Sequence, residues 1–352
     1  MMKRLTNLID LFNQHGYQAY GVGGCVRDYL MNRTIHDFDV ATDATPDQML
    51  EMFQGYKTRS IGHRYGTIGV YFEKNWYECT TFRSEESTLD FRHPEHVKFE
   101  ASLRTDVLRR DFTMNALAYD KGSIIDYVNG QKDIESKTIR AVGDPSERFK
   151  QDALRILRAL RFVSELGFSI EDKTYQSMIE AQDLLIHISK ERITQELERL
   201  VMGEYLNHSI DKYADLLSSI LGSSINTVLD QRTFIGRLMK MAPDFNYQEF
   251  KLSNTHNLQI LLINKYKDNN INLSKLVDRY GFKTVEVLAD YKQEQFQNIT
   301  IKDLKISGSD LIRLGVLQKK RGTLLRKLLD DVIDEKVNNE HESLIEYIKH
   351  LF

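Results

Sequence analysis

A mixed α/β segment over residues 1–142, followed by an all-α remainder, is the fold class this sequence predicts, on three observations. Eleven of the 19 glycines and three of the four prolines fall in the first 145 residues. Short runs rich in branched and aromatic residues alternate there with helical patterns, as strands and helices do when they build one mixed sheet. After Gly143-Asp144-Pro145 the apolar spacing becomes threes and fours and holds to Leu351, with polar breaks.

Each element follows from its own pattern. The amino end, MMKRLTNLIDLFNQHGY, reads as an amphipathic helix: Asp10 interrupts its apolar run and no small-residue cleavage site follows, so a signal peptide is not expected. Strands are predicted at Gln18–Val22, Phe38–Ala41, Gly66–Phe72 and Trp76–Phe82, and a helix at Asp47–Gln54 opened by Pro46. Beyond the switch, Arg148–Leu166 keeps Leu154, Leu157 and Leu160 in helical register and Gly167 suits its C-cap. Ser189 precedes a helix through Arg199, with Arg192 three on from it, and Lys265–Asn272 is a polar loop or linker.

Composition excludes several classes. Over 352 residues, 28% charged and 41% hydrophobic side chains describe a globular chain of several domains. No apolar run is long enough to span a membrane. A net charge of −3 gives no chain-wide basic field, so any nucleic acid must be met by local patches. Cys25 and Cys79 alone, without CxxC or clustered His, supply neither a zinc site nor a disulfide scaffold, and a reducing cytoplasm is the expected location.

Chemistry concentrates in four stretches. In Asp37-Phe38-Asp39-Val40 a strand would point both carboxylates to one face. Two such neighbours repel unless a cation lies between them, and oxygen-only ligation favours Mg²⁺; the plainer alternative is a solvated strand end. Upstream, Gly21-Val22-Gly23-Gly24-Cys25-Val26-Arg27-Asp28 lets backbone amides approach a phosphate, with Arg27 to hold its charge. Glu78 shares a strand face with Trp76 and Thr80 and is a candidate third carboxylate. Arg109, Arg110, Asp111 and Asn115 crowd an apolar segment and suit triphosphate and ribose recognition, or else a surface ion-pair cluster. In Gln151–Phe162, the residues Asp152, Arg155, Arg158 and Arg161 recur every third position as a polar ridge. A solvated helix face is the usual meaning of such a ridge. An Asp accepting from an exocyclic amine beside an Arg donating to the ring nitrogen would instead admit CTP and ATP and reject UTP and GTP.

These motifs together resemble the class II tRNA nucleotidyltransferases, the CCA-adding enzymes, and the related bacterial poly(A) polymerases. GGCVRD at 23–28, DFDVAT at 37–42, RRDFTMNA at 109–116, QDALRILRALRF at 151–162 and KERITQEL at 190–197 match that family's successive motifs in order, and Leu304–Glu346 is more loosely similar to its carboxyl-terminal segment. The resemblance implies a seahorse-like layout: a nucleotidyltransferase head at 1–142, then an all-α neck at 143–202, body at 203–295 and tail at 296–352. It implies two-metal transfer with Mg²⁺ on Asp37 and Asp39, and Glu78 at the family's third acidic position. Gly24, Arg27 and Arg109 would contact the nucleotide's phosphates or sugar, supported by Arg110, Asp111 and Asn115. Asp152 and Arg155 would read the base, and Arg158 and Arg161 would line the nucleotide and primer pocket.

The implied activity is template-independent building or repair of CCA at tRNA 3′ ends from CTP and ATP, with release of pyrophosphate. Segment Ser84–Ser102, with Asp90, Arg92 and Pro94, resembles the flexible loop that CC-adding relatives lack and so favours full CCA addition. A CC-adding or A-adding enzyme, a poly(A) polymerase and a catalytically silent RNA-binding protein are the alternatives. The patch Lys319, Lys320, Arg321, Arg326 and Lys327 would touch tRNA phosphates or form a solvated helix face. A homodimer is expected at family level only. Two departures stand out: Gln151 replaces the usual Glu before Asp152, removing the charge that would help fix Arg155, and the body is shorter than the family's.

Overall fold

The structure, a computed structural model, describes residues 2–62, 66–84, 98–99 and 102–351. It divides into two compact units, Met1–Ile220 and Leu221–Phe352. The segment resembling the flexible loop lies, at 85–97 and 100–101, outside the described residues.

The first unit opens with α1 (Met2–Gln14), β1 (Ala19–Val22), α2 (Gly24–Leu30), β2 (Phe38–Thr42) and α3 (Pro46–Met52). There follow β3 (Lys57–Gly62), β4 (Thr67–Phe72), β5 (Asn75–Thr81), β6 (Arg83–Ser84), β7 (Lys98–Phe99) and α4 (Leu103–Leu108). Then come β8 (Leu117–Asp120), β9 (Ser123–Asp126), α5 (Gly130–Glu135) and β10 (Thr138–Ile139). Seven strands form a mixed sheet in the order β3-β4-β5-β2-β1-β8-β9. Only the β2–β5 pair is parallel.

Alternation sorts the two faces of that sheet. Phe38, Val40, Ile68, Val70, Tyr77 and Cys79 join Leu5, Leu8, Ile9 and Phe12 of α1 in one apolar core. Gly21 belongs to this packing, because a Cβ there would meet Leu5 Cδ2 at 2.6 Å. On the other face Val22, Ala41 and Ala118 pack beneath Leu103 and Val107 of α4, and residues 39 and 78 emerge beside them. The predicted strands appear within a residue or two of their expected ends. β3, β8 and β9 were not foreseen; for β3 the reason is that Lys57–Ser60 is exposed throughout, and an edge strand open to water carries no alternation to read.

The helical part of this unit runs through α6 (Pro145–Gln151), α7 (Leu154–Leu166), β11 (Ser169–Ile170), α8 (Asp172–Ala181), α9 (Lys190–Val201) and α10 (Leu206–Leu221). The single helix expected over Arg148–Leu166 is two. Asp152 ends α6 with φ −152° and ψ 99°, extended backbone, and its Oδ1 accepts from Leu154 N at 3.1 Å to restart the chain as α7. That local side-chain bond offers the backbone an alternative to the helix, and it breaks a pattern whose apolar period continues across it. Gly167 caps α7 at φ 69°, as its type predicts. α10 is kinked at Tyr213, whose hydroxyl accepts from Ile170 N at 2.7 Å.

The second unit is helical: α11 (Phe234–Met241), α12 (Asn254–Tyr266), α13 (Ser274–Tyr280), α14 (Phe282–Lys292), α15 (Gly308–Arg313), α16 (Gln318–Ile333) and α17 (His341–Leu351). The polar run expected as a loop from Lys265 begins two residues later, since α12 continues through Tyr266. Leu311, Leu328, Leu344 and Ile348 form the core of its last three helices. Among the described residues, no helix is long and apolar enough to cross a membrane.

Candidate active site

A cleft of about 1240 Å³ in the first unit takes in every candidate that the sequence placed before residue 162: Asp37, Asp39, Glu78, Gly24, Arg27, Arg109, Arg110, Asp111, Asn115, Asp152, Arg155, Arg158 and Arg161. Its floor is the sheet. Asp39 pairs in register with Glu78 on parallel β5 and with Val22 on β1, so two carboxylates stand side by side across neighbouring strands. Burial raises the Asp39 carboxyl to about 6, with Arg110 opposing and Glu78 and Asp37 adding to the rise. Asp37 and Glu78 are exposed. Among the described residues, no group of three or more His, Cys, Asp or Glu is placed to hold a metal ion by itself. Asp37 and Asp39, oxygen donors lining the same cleft, suit a hard cation that keeps waters and takes its other ligands from phosphate oxygens.

Beside this pair the chain turns tightly. Gly23 sits at φ 76°, and a Cβ there would come within 3.0 Å of Arg110 Nη1. The positive φ favours glycine, and a Cβ would also push on the Arg110 guanidinium. Gly24 then opens α2, which carries Arg27 into the cleft wall. Arg27 Nη1 donates to Asn115 Oδ1 at 2.8 Å, its Nε and Nη2 donate to Asp28 Oδ1, and its guanidinium lies 5.2 Å from the Phe162 ring centre. Asn115 in turn donates to Asp111 Oδ1 at 3.3 Å.

Arg109 and Arg110 share one anchor that sequence reasoning missed. Asp106, 1% exposed, accepts from Arg109 Nε at 3.0 Å and Nη2 at 2.8 Å, and from Arg110 Nη2 at 3.1 Å. Burial works to raise the Asp106 carboxyl, but the two guanidiniums outweigh it and hold the group below its usual value. The signal was available, because 106, 109 and 110 are spaced i, i+3, i+4 on one turn.

The far wall is the neck-like helical layer. Asp152 Oδ2 accepts from Arg192 Nη2 at 2.7 Å. Arg155 Nη1 donates to the Arg148 carbonyl at 3.2 Å and to Gln151 Oε1 at 3.4 Å, and its Nη2 to the Arg109 carbonyl at 3.4 Å. Gln151 Oε1 also accepts from Arg148 Nη1 at 3.0 Å. Thus the glutamine serves two arginines as a neutral acceptor. Asp152 and Arg155 face the cleft from a turn and the start of a helix, and not from one continuous helix as the spacing suggested.

Arg158 and Arg161 also line the cleft, and their charges are engaged by acids that the sequence pattern did not pair with them. Arg158 donates from Nη2 to Asp111 Oδ2 at 2.5 Å and from Nη1 to Glu196 Oε1 at 3.3 Å. Arg161, 2% exposed, donates from Nε to Glu196 Oε2 at 2.6 Å and from Nη1 to Glu165 Oε2 at 2.7 Å. Burial would raise the Asp111 carboxyl, yet Arg158 and the bonds from Phe112 N and Asn115 bring it to about 2. Arg158 thereby ties the Asp111 segment to α9, and Arg161 ties α7 to α9. In the second unit, Lys319, Lys320, Arg326 and Lys327 are exposed on α16, whereas Arg321 is half-buried and donates to the Val316 carbonyl at 2.9 Å.

Comparison with known proteins gives the family. The family described as the poly A polymerase head domain matches residues 19–140, and the one described as the probable RNA and SrmB-binding site of polymerase A matches 167–216. The CCA-adding enzyme of Staphylococcus haemolyticus is 34% identical over 97% of this chain and 96% of its own length. That of Enterococcus faecalis is 34% identical over 99% and 95%. The crystal structure of the Bacillus stearothermophilus CCA-adding enzyme in complex with CTP superposes with a TM-score of 0.74 at 28% identity, covering 99% of this chain and 97% of that one. With relatives aligned almost end to end and the head match falling on the sheet that carries the carboxylates, the chain belongs to the CCA-adding enzyme family of tRNA nucleotidyltransferases, within the wider poly(A) polymerase family.

Proposed function

We propose that this protein adds or repairs the CCA sequence at tRNA 3′ ends, drawing on CTP and ATP and releasing pyrophosphate. The observation that carries the reading is the meeting, in one cleft, of the Asp37/Asp39 pair with the Asp152–Arg155 pair on the facing wall. One pair suits phosphoryl chemistry and the other suits a nucleobase edge, and no RNA or DNA template is needed if the protein itself reads the base.

Asp37 and Asp39 would hold Mg²⁺, which when bound activates the 3′-hydroxyl and offsets the charge of departing pyrophosphate. Glu78, directly opposite Asp39, keeps that face acidic. Gly24 at the start of α2, Arg27 and Arg109 receive the triphosphate and sugar, with Arg110, Asp111 and Asn115 holding them in place. Asp152 accepts from the exocyclic amine of cytosine or adenine and Arg155 donates to the adjacent ring nitrogen, so keto bases meet a donor against a donor. Arg158 and Arg161 set the wall behind them.

On this reading residues 1–142 are the head, 143–202 the neck, 203–295 the body and 296–352 the tail, and Lys319, Lys320, Arg326 and Lys327 contact tRNA phosphates. The protein works in the cytoplasm. Segment 84–102 supports full CCA addition over a CC-only product. Incorporation on tRNA ending at the discriminator base, resolved at one nucleotide, tests all of this. Two C from CTP and then a single A with ATP is the expected product. A stop at CC with both nucleotides present would mean a split system, and long A tracts would mean a poly(A) polymerase.

A further inference from the structure

The sheet face that carries Asp39 continues outward past the carboxylates. Glu78 pairs with Gly69 on β4, and Gly69 pairs with Arg59 on edge strand β3. One row over, Trp76 pairs with Tyr71 and Tyr71 with Lys57. Because residues paired in register share a face, Asp39, Glu78, Arg59, Trp76, Tyr71 and Lys57 all project to the same side. At the usual strand spacing, Arg59 stands about 14 Å from Asp39.

These outer residues form a layered surface. Arg59 Cζ lies 4.0 Å from the Trp76 ring centre, Trp76 lies 5.5 Å from Tyr71, and Lys57 Nζ sits 6.0 Å from the Tyr71 ring. Trp76 is 37% exposed, and Lys57 and Arg59 are exposed. Gly69 between Glu78 and Arg59 has no side chain to obstruct the way from one to the other. The other side of the carboxylates is already taken: Gly23, Gly24, Arg27 and Arg110 lie towards β1 and α2 and suit the incoming triphosphate. In an in-line displacement the attacking and leaving oxygens lie on opposite sides of the reacting phosphorus, so the attacking strand has the β5–β4–β3 side to approach from.

We propose that this face is a stacking platform for the unpaired 3′ end of the acceptor RNA. A base stacks on the Arg59–Trp76 pair while Lys57 meets a neighbouring phosphate. The proposal rests on the CCA-adding reading and extends it to the second substrate. Single-stranded RNA is the occupant that the chemistry selects, because bases stack on aromatic rings and guanidinium planes whatever their sequence, and cations beside them follow the backbone. The platform also leads directly into the acidic pair where a 3′-hydroxyl must arrive.

Trp76 is the only tryptophan in the chain, so its emission reports this site alone. The test titrates the full protein, without nucleotide, with tRNA lacking CCA and separately with CTP, and follows tryptophan fluorescence. It then compares KM for tRNA, KM for CTP and kcat in W76A, W76F, R59Q and K57A. The tRNA should change the emission and CTP should not. W76A should raise KM for tRNA roughly 5- to 150-fold, the range for one stacked base, with kcat and KM for CTP little changed. W76F should recover most of that loss, and R59Q should share it. K57A should flatten the salt dependence of tRNA binding by about 0.7 in the log–log slope, one single-strand phosphate. Unchanged emission at tRNA concentrations that saturate incorporation, or an unaltered KM for tRNA in both W76A and R59Q, would overturn the platform while leaving the CCA reading intact. Absence of incorporation by the wild-type protein would instead sink that reading, and the emission titration would still decide whether RNA reaches Trp76.

Discussion

Arg192 on α9 grips Asp152 from across the cleft wall, its Nη2 donating to Oδ2 at 2.7 Å, while Asp152 Oδ1 is held by the Leu154 amide. Both carboxylate oxygens are therefore oriented before any nucleotide arrives, and the residue proposed to read the base is fixed by a partner 40 positions away in sequence.

From that grip follows the first prediction. Arg192→Ala should leave Asp152 mobile and lower discrimination of CTP over UTP, measured as the ratio of kcat/KM values. A charge-assisted bond is worth roughly 1.5–3 kcal/mol, so a loss of about tenfold or more is expected. Metal dependence should not change. An unaltered ratio would show that Arg192 only braces the fold.

Gln151 makes the second prediction. Its Oε1 accepts from Arg148 at 3.0 Å and Arg155 at 3.4 Å, both guanidinium donors to a neutral amide. Gln151→Glu places a carboxylate there and adds ion-pair attraction to bonds whose donors are already charged. The variant should hold Arg155 more firmly, with misincorporation of UTP falling severalfold and the melting temperature rising slightly. A rise in misincorporation would mean that the amide is itself the adapted group.

The third concerns the Asp111–Arg158 pair. Asp111→Asn leaves Arg158 facing Glu196 alone and should destabilise the first unit by about 3–5 kcal/mol, the usual consequence of breaking a buried pair from one side. The sign with pH follows from the depressed carboxyl. Its folded value of about 2 lies below the unfolded value near 3.9, so this stability is fully present above about pH 4 and is lost as pH falls through 2. It amounts to roughly 2–3 kcal/mol. Urea unfolding of wild type and variant between pH 2 and 7 reads it as a gap that narrows by that amount in acid.

How much of this was legible depends on where each partner lies. β1, β2, β4 and β5 were readable because branched and aromatic residues concentrate there, with Val40, Val70 and Tyr77 buried on one sheet face and Val22 on the other. β3 was not, since its Lys57–Ser60 run is polar on both faces. The carboxylates, glycines and arginines of the cleft stood out as residue types that are costly to bury without work to do. The pairings that hold them did not stand out. Glu196 meets Arg161 from 35 positions away and Asp111 meets Arg158 from 47, and no local period encodes such pairings. The break at Asp152 was hidden for a different reason: Phe149, Ala153 and Leu154 are all buried, so the apolar pattern runs straight through an Asx turn.

The last prediction concerns the acidic pair without its cation. Asp39 has its carboxyl raised to about 6 by burial, helped by Glu78 and Asp37 and opposed by Arg110. A raised carboxyl means that the folded state binds the proton more tightly than the unfolded chain, so in metal-free protein stability should fall as pH rises from about 4 to 6. Asp39 is half-buried, and solvent screening limits this contribution to about 2 kcal/mol at most. Asp39→Asn removes the charge and should be more stable than wild type above pH 6, with the difference gone near pH 4. Adding Mg²⁺ should reverse the order at pH 8, because the cation stabilises only the protein that retains the carboxylate, and should do nothing at pH 4.5 where Asp39 is protonated. Incorporation by the variant should fall by several orders of magnitude while tRNA still changes Trp76 emission. If Mg²⁺ stabilises the Asn variant as much as the wild type at pH 8, the cation is bound elsewhere and the assignment of Asp39 to it is wrong.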